Sequence, residues 1–166
     1  MKWYASNLID MPWRTSSGNQ GIVDDVLFDE EIWFAKFFVL KTSLDDNDDM
    51  VVSTSGVKPP MEGILDLPTK PVRFRDRGTS LFRDELSLSG LSKYKALSIS
   101  NEIGKVIDVE MEPEKWRVNS IMIKLHEDGY AYFANLSPSC VRLIIPEIET
   151  ILCKAQFSPA IAQKCR

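Results

Sequence analysis

An apolar run at residues 32–41 limits the possible folds most strongly. It reads IWFAKFFVLK, and both of its alternating sets of residues are apolar, as in a strand that is covered on both faces. The acidic stretch DDNDD follows at 45–49, and MVVST at 50–54 is apolar again. Because aromatic and β-branched residues favour strands, these segments predict a hairpin joined by the acidic loop, although periodicity alone leaves a buried helix open.

A second hairpin is predicted at residues 119–136. Two apolar runs, NSIMIKL and YAYFANL, are separated there by HEDG, whose Asp-Gly pair is typical of tight turns. KVIDVEM at 105–111 alternates as a strand, and residues 72–76 predict a short one. The proline-rich stretch 58–71 predicts irregular or edge structure, and we find no internal repeat in the sequence.

Two helices are predicted. Thr79 or Ser80 is expected to cap a helix through LFRDELSLSGL that stops at Gly90. Pro146 is expected to begin another that runs to about Ala155, whereas VRLII before it predicts a strand or a helical turn. Hairpins with segregated helices predict an α+β fold, mainly an antiparallel sheet built from hairpins with a few helices packed on it.

The length and composition predict one folded domain. The chain has 166 residues, of which 44% are hydrophobic and 27% charged, as in ordinary globular proteins. A division within the proline-rich stretch leaves a first piece that is too small to be stable by itself. We therefore expect a single α+β domain over residues 1–166.

The charge is unevenly distributed along the chain. Residues 1–69 contain 12 acidic against 5 basic residues, for a net charge of −7, and residues 70–166 contain 12 against 15, for +3. A patch of one sign attracts a partner of the opposite sign. Because the acidic part repels phosphate, we expect no nucleic acid partner.

The sequence lacks a complete catalytic signature. His126 is the only histidine, and we expect it to be an exposed turn residue rather than a general base. Arg73, Arg75 and Arg77 alternate, so a strand would place them on one face; such a row can bind phosphate, but pairing with the chain's own acids is favoured. We expect no catalytic residues, no enzyme activity and no cofactor.

A calcium loop is also disfavoured. Asp45, Asn47 and Asp49 fit the first three ligand positions of the template, but Met50 stands where a glycine is needed. Gly56 stands where the closing glutamate is needed. We therefore expect no metal site.

The cysteines and the termini predict a cytoplasmic protein. Cys140, Cys153 and Cys165 are an odd, widely spaced set, which is typical of reduced thiols in the cytosol. The first residues lack the continuous apolar region of a signal peptide, and no apolar stretch is long enough to span a bilayer. We expect no contact with a membrane.

The acidic residues around the first hairpin predict a partner-binding surface. Charges on a stiff apolar support lose little entropy on binding, and they accelerate the encounter with a basic partner. A solvated loop is the alternative interpretation. The predicted partner-binding residues are Asp24, Asp25, Asp29, Glu30, Glu31, Asp45, Asp46, Asp48 and Asp49.

The general layout resembles a family of bacterial proteins. The opening MKWY, the strand-rich first half and the stretch VRFRDRGTSLFRDELSLSGLSKYKALSISNEIGKVIDVEME resemble the small acidic immunity proteins that bacteria make against their own secreted or contact-delivered toxins. The resemblance covers most of the chain and includes no diagnostic motif. It implies a cytosolic, non-enzymatic protein that binds one cognate toxin and blocks its active site or its activation.

Two other functions are left open. A phage-encoded inhibitor of a host defence nuclease would use the same acidic surface. A small enzyme or ligand-binding domain would use a cleft with His126 or the row of Arg73, Arg75 and Arg77. The sequence leaves the oligomeric state open.

Overall fold

The computed structural model describes residues 2–43, 48–73, 86–127, 129–154 and 156–157. The fourteen strands in these residues form one branched sheet: β1 Trp3–Tyr4, β2 Pro12–Thr15, β3 Gln20–Asp29, β4 Phe34–Lys41, β5 Met50–Ser53, β6 Leu65–Leu67, β7 Val72–Arg73, β8 Leu86–Ser87, β9 Lys95–Leu97, β10 Ile103–Glu112, β11 Arg117–Glu127, β12 Tyr130–Leu136, β13 Val141–Ile145 and β14 Thr150–Cys153. Helical structure in the same residues comprises the helix α1 and three 3-10 turns: α1 Leu88–Leu91, and the turns Ala5–Leu8, Pro138–Cys140 and Pro146–Ile148.

The predicted α+β fold is wrong. The described chain is mostly β-structure, and its single α-helix is one turn long, so no layer of helices packs on the sheet. The sheet is mixed, because β2 pairs in parallel with β6 and β9 pairs in parallel with β14, whereas the other strand pairs are antiparallel. Parallel pairs join segments that are distant in sequence, which hairpin patterns do not predict.

The predicted C-terminal helix is replaced by a strand. Pro146–Ile148 forms only a 3-10 turn, and Glu149 then adopts a left-handed backbone conformation with a φ of 47°. Thr150–Cys153 continues as β14, because its backbone pairs with β9 and its Ile151 is fully buried in the core. Pairing with a distant strand thus overrides the local helix signals.

The described residues include only the end of the other predicted helix, and its last turn is helical. Residues 79–85 lie outside the described residues, and Leu86–Ser87 form a strand against β3. In α1, Leu88–Leu91, the Ser87 hydroxyl caps the turn by accepting a hydrogen bond from the Gly90 amide at 2.9 Å.

Both predicted hairpins are confirmed. β4 and β5 pair antiparallel with Phe38 opposite Val52, and residues 44–47 of the acidic loop lie outside the described residues. β11 and β12 pair antiparallel up to Glu127 and Tyr130, and Gly129 in the turn between them has a φ of 82°. The strand predicted at 105–111 is also present, as β10, and residues 141–145, for which a strand or a helical turn was predicted, form the strand β13.

Contrary to the sequence analysis, the chain contains an internal repeat. Residues 3–41 (repeat 1) and 86–124 (repeat 2) contain the same elements at a constant offset of 83 residues. The pairing of Trp13 with Gly21 between β2 and β3 is matched by that of Ala96 with Gly104 between β9 and β10. A bulge follows at the same place in β3 and in β10.

The two repeats exchange their first segments. β1 of repeat 1 pairs with β10 of repeat 2, and β8 of repeat 2 pairs with β3 of repeat 1. The repeats also share one core, because buried residues of both, such as Val23 and Val106, belong to the same hydrophobic cluster. Each repeat therefore depends on the other for its packing.

Trp13 shows how closely strands approach in this core. It is 1% exposed, and its indole donates hydrogen bonds to the carbonyls of Ile22 at 3.0 Å and Lys41 at 3.2 Å. A Cβ on the neighbouring Gly21 would collide with the carbonyl oxygen of Lys41. Only glycine allows this approach of β3 to the end of β4.

Candidate functional site: an acidic turn and an adjoining groove

Four of the predicted acidic residues are paired with bases of the same chain: Asp29 with Lys36, and Asp24, Asp48 and Asp49 near the acidic loop. The Lys41 ammonium lies 3.0 Å from Asp24 Oδ1 and 4.0 Å from Asp49 Oδ1. Arg73 Nη1 lies 3.2 Å from Asp48 Oδ2. The intramolecular match that the sequence favoured for Arg73 is therefore present, and these pairs reduce the negative potential near the acidic loop.

Asp25 has a structural role. Its Oδ1 accepts hydrogen bonds from the amides of Val26 at 2.8 Å and Ser89 at 3.2 Å, and its Oδ2 accepts a short one from the Ser89 hydroxyl. Asp108, at the same position of repeat 2, binds Val109 and Ser6 in the same way. These two carboxylates hold the exchanged segments in place.

The turn between β3 and β4 presents the remaining described acids. Asp29 Oδ1 accepts hydrogen bonds from the amides of Glu31 at 2.9 Å and Ile32 at 3.2 Å, and its Oδ2 lies 3.9 Å from Lys36 Nζ. Glu30 and Glu31 are exposed, and the Ile32 side chain is 66% exposed. Asp29 thus holds an exposed turn, which we call the acidic turn (residues 29–32).

Several predicted residues lie outside the described residues: Asp45, Asp46, Asn47, Arg75 and Arg77. The calcium-loop template and the arginine row are therefore described only in part. His126 is exposed, as predicted, but it lies near the end of strand β11, opposite Ala131, and not in the turn.

A groove of about 880 Å³ opens beside the acidic turn. Its walls are formed by the acidic turn, by the first residues of β11, and by the 3-10 turn Pro138–Cys140 together with β13. Trp33 lies among the lining residues and is 7% exposed. The groove is thus bordered by repeat 1 on one side and by repeat 2 and the C-terminal strands on the other.

The two repeat-related tryptophans differ in their hydrogen bonding. Trp33 and Trp116 both have left-handed backbone conformations, with φ of 51° and 54°. The Trp116 indole donates a buried hydrogen bond of 2.8 Å to the Val57 carbonyl, and its ring meets Phe38 edge-to-face at 5.0 Å. Among the described residues, the Trp33 indole makes no hydrogen bond.

The groove is lined by charges of both signs. The Glu110 carboxylate already has partners within the chain, because its Oε2 accepts hydrogen bonds from the Lys2 ammonium at 3.3 Å and from the Ser120 hydroxyl at 3.2 Å. Arg117 and Arg142 also line the groove, and neither forms an ion pair within the described part of the chain. Two guanidinium groups are therefore available in the groove to a ligand.

The charge of the acidic turn affects the pKa of Tyr94. Burial raises the pKa of Tyr94, and the negative charges of Glu149, Glu30 and Glu147 raise it further. The Glu30 carboxylate is thus close enough to Tyr94 to act on it. The hydroxyl stays neutral and imposes no charge on this side of the turn.

The cysteines differ from the prediction of reduced thiols. Cys140 takes part in a disulfide, whereas Cys153 is a buried free thiol whose pKa is raised to about 12 by burial. Disulfides persist mainly in oxidising compartments, so the cysteines do not support the predicted cytoplasmic location. A thiol with so high a pKa is a poor nucleophile and gives no catalytic site.

Sequence reasoning missed the groove. Arg117 and Arg142 are far apart in the sequence, and the residues around Trp33 predict an apolar strand. The repeat aligns Trp33 with Trp116 in the sequence, and the structure shows that the Trp116 indole is hydrogen-bonded whereas the Trp33 indole has no partner among the described residues.

No protein-family model fits the sequence, and no curated protein is significantly similar to it. Among the described residues, no helix has both the length and the apolar character that crossing a membrane requires.

Proposed function

We propose that this chain is a non-enzymatic binding protein that neutralises a cognate protein toxin, and that the acidic turn is its main contact. The proposal follows the resemblance to bacterial immunity proteins. The observation that supports it most is the order of the turn, in which Asp29 accepts two backbone hydrogen bonds and so fixes the exposed residues Glu30, Glu31 and Ile32.

Such a turn suits a basic partner surface. A contact that is ordered before binding loses little conformational entropy when the complex forms. The carboxylates accelerate the encounter with a basic site, and the exposed Ile32 adds apolar area that is buried on contact. A toxic nuclease, which must bind phosphate, presents a basic site of this kind.

The test is capture of the toxin by matched variants. The immobilised chain is exposed to an extract of the native host, and the retained proteins are identified by mass spectrometry. The variant Glu30→Gln/Glu31→Gln removes the charges of the acidic turn. Glu114→Gln is the control, because Glu114 is exposed and occupies the position of Glu31 in repeat 2.

We expect the wild type and the control to retain the same basic protein and the double variant to lose it, most clearly at low salt. The captured protein should be toxic when expressed alone and harmless with the wild-type chain. Equal capture by all three proteins contradicts the role of the acidic turn. A captured defence nuclease of a phage host supports the phage-inhibitor alternative instead.

One observation favours a second candidate, a ligand-binding domain. The groove beside the acidic turn has the volume of a small-ligand site and contains arginines that form no ion pair within the described residues. Binding of a small ligand in this groove would be a separate function from neutralising a toxin.

A further inference from the structure

The repeat supplies an internal reference for the groove. Trp33 and Trp116 follow the same turn in the two repeats, and each is almost fully buried, at 7% and 3% exposure. In repeat 2 the indole donor is bonded to the Val57 carbonyl. In repeat 1 the equivalent residue, Trp33, lines an open groove, and its indole donor has no acceptor among the residues that the structure describes.

The missing bond has a structural cause. The turn from Thr54 to Val57, closed by a hydrogen bond of 3.0 Å, is matched 83 residues later by the turn from Ser137 to Cys140, closed at 2.9 Å. In the later turn, the Cys140 carbonyl accepts a hydrogen bond from the Lys154 amide at 2.8 Å instead of from an indole. Lys154, directly after β14, thus provides the donor for the carbonyl that corresponds to the acceptor of Trp116.

The Trp33 indole donor is open to the groove, because no buried side-chain nitrogen or oxygen of the described residues lacks a hydrogen-bond partner. A donor that is open to a groove can bond to water or to a ligand that displaces the water. The Trp33 indole N–H points to an oxygen acceptor in the groove, since an indole can only donate.

The charges of the groove define the acceptor further. Arg117 and Arg142 present guanidinium groups that no carboxylate of the described chain neutralises, and guanidinium matches the geometry of carboxylate and phosphate oxygens. Lys154 adds a third cation, whose Nζ lies 3.3 Å from the Ser139 carbonyl. On the acidic side, Glu110 is already bound by Lys2 and Ser120.

We propose that this groove binds a small oxyanion, carboxylate or phosphate, which accepts a hydrogen bond from the Trp33 indole and is charge-balanced by Arg117 and Arg142. Its volume of about 880 Å³ admits an anionic group with an attached organic part. The acidic turn forms one wall of this site, but the proposed anion binding uses the cations of the groove, whereas toxin neutralisation uses the carboxylates of the turn.

The test titrates the purified full-length protein with inorganic phosphate and, separately, with glutarate, by isothermal calorimetry at low salt. The variants are Arg117→Gln, Arg142→Gln and Trp33→Phe. Arg14→Gln is the control, since Arg14 is an exposed cation of repeat 1 that pairs with Asp66 and its loss changes the net charge equally.

Loss of either groove arginine should weaken binding by about tenfold or more, as expected for a charge-assisted hydrogen bond. Trp33→Phe keeps an aromatic ring and should weaken it by about threefold to tenfold, as expected for one neutral donor. Arg14→Gln should leave the affinity unchanged. Binding of only one anion supports the proposal and names the group.

Two results overturn the proposal: neither anion binds the wild type, or the control weakens binding as much as the groove variants do. If an arginine variant misfolds, Arg117→Lys and Trp33→Phe still test the proposal. Arg117→Lys keeps the positive charge but lacks the planar guanidinium group, and Trp33→Phe keeps an aromatic side chain but lacks the indole donor. Capture of the toxin in the preceding experiment is expected to be unaffected by Trp33→Phe, so failure of one proposal is distinguishable from failure of the other.

Discussion

Phe34 and Arg117 pair directly across β4 and β11, and they occupy the same position of the two repeats, 83 residues apart. On either side of this pair, the Ala35 amide donates to the Trp116 carbonyl at 2.7 Å and the Val118 amide donates to the Trp33 carbonyl at 2.8 Å. The two bonds are equivalent under exchange of the repeats. The halves of the molecule therefore meet about a local two-fold axis, and the difference between Phe34 and Arg117 makes the two sides chemically unlike.

The exchanged segments should depend on Asp25 and Asp108. Replacing either by alanine leaves the backbone amides of the exchanged serine and of the next strand residue without an acceptor, so each change should destabilise the fold by about 1–3 kcal/mol. The measurement is urea unfolding followed by circular dichroism.

Asp66→Ala is the control for these variants, because Asp66 forms an exposed ion pair with Arg14 and should give no measurable change. The losses of stability at Asp25 and Asp108 need not be equal, because the two carboxylates have different neighbours. No cost at either position contradicts the role assigned to them.

Two repeat-related glycines should differ in their tolerance of a side chain. A Cβ at Gly21 meets the backbone carbonyl of Lys41, whereas a Cβ at Gly104 meets a side-chain methyl of Ile123. Both alanine variants should be destabilised, by about 1–3 kcal/mol for overpacking, and Gly21→Ala more, because a backbone atom cannot rotate away. Thermal unfolding of both variants compares them, and a larger loss for Gly104→Ala would show that Ile123 is the more rigid neighbour.

The thiol of Cys153 should be unreactive in the folded protein. Burial raises its pKa from 9.0 to about 12, so the thiolate needed for alkylation is scarce in the native state near pH 8. Mass spectrometry after iodoacetamide should find Cys153 modified only when denaturant is added.

The same shift predicts a dependence of stability on pH. Below pH 9 the thiol is neutral in both states, so the stability associated with this group is fully present. Between pH 9 and about 12 the unfolded chain loses this proton and the folded chain retains it, so stability falls as the pH rises. The stability of Cys153→Ala should fall less steeply than that of the wild type over this pH range. Parallel curves of stability against pH for the two proteins would contradict the assignment.

The sequence predicts strands where the local pattern and the pairing partner are close together. The hairpins β4–β5 and β11–β12 are predicted correctly because each consists of adjacent apolar runs around a turn. β14 is not predicted, since its partner β9 lies more than 50 residues earlier and Pro146 with Glu147 indicates a helix. Long-range parallel pairing leaves no local signal at this position.

The repeat and the groove were missed for a related reason. Only scattered positions agree between the repeats, among them Gly21 with Gly104, Asp25 with Asp108 and Trp33 with Trp116. Each of these residues is fixed by a close approach of its neighbours, by hydrogen bonds to backbone amides or by a left-handed turn, whereas most of the strand residues between them differ between the repeats. Such sparse agreement becomes visible only when the hydrogen bonds are compared.

The two tryptophans should contribute unequally to stability. Trp116→Phe leaves the buried Val57 carbonyl without its donor and disturbs the contact with Phe38, so it should cost about 1–3 kcal/mol for the unsatisfied group. Trp33→Phe removes an indole that has no acceptor in the described residues, so it should cost clearly less. Urea unfolding at low and at high phosphate measures both variants. Phosphate should stabilise the wild type and Trp116→Phe equally and Trp33→Phe less, because only Trp33→Phe removes an indole donor from the groove. Equal stabilisation of all three would remove Trp33 from the groove's binding function.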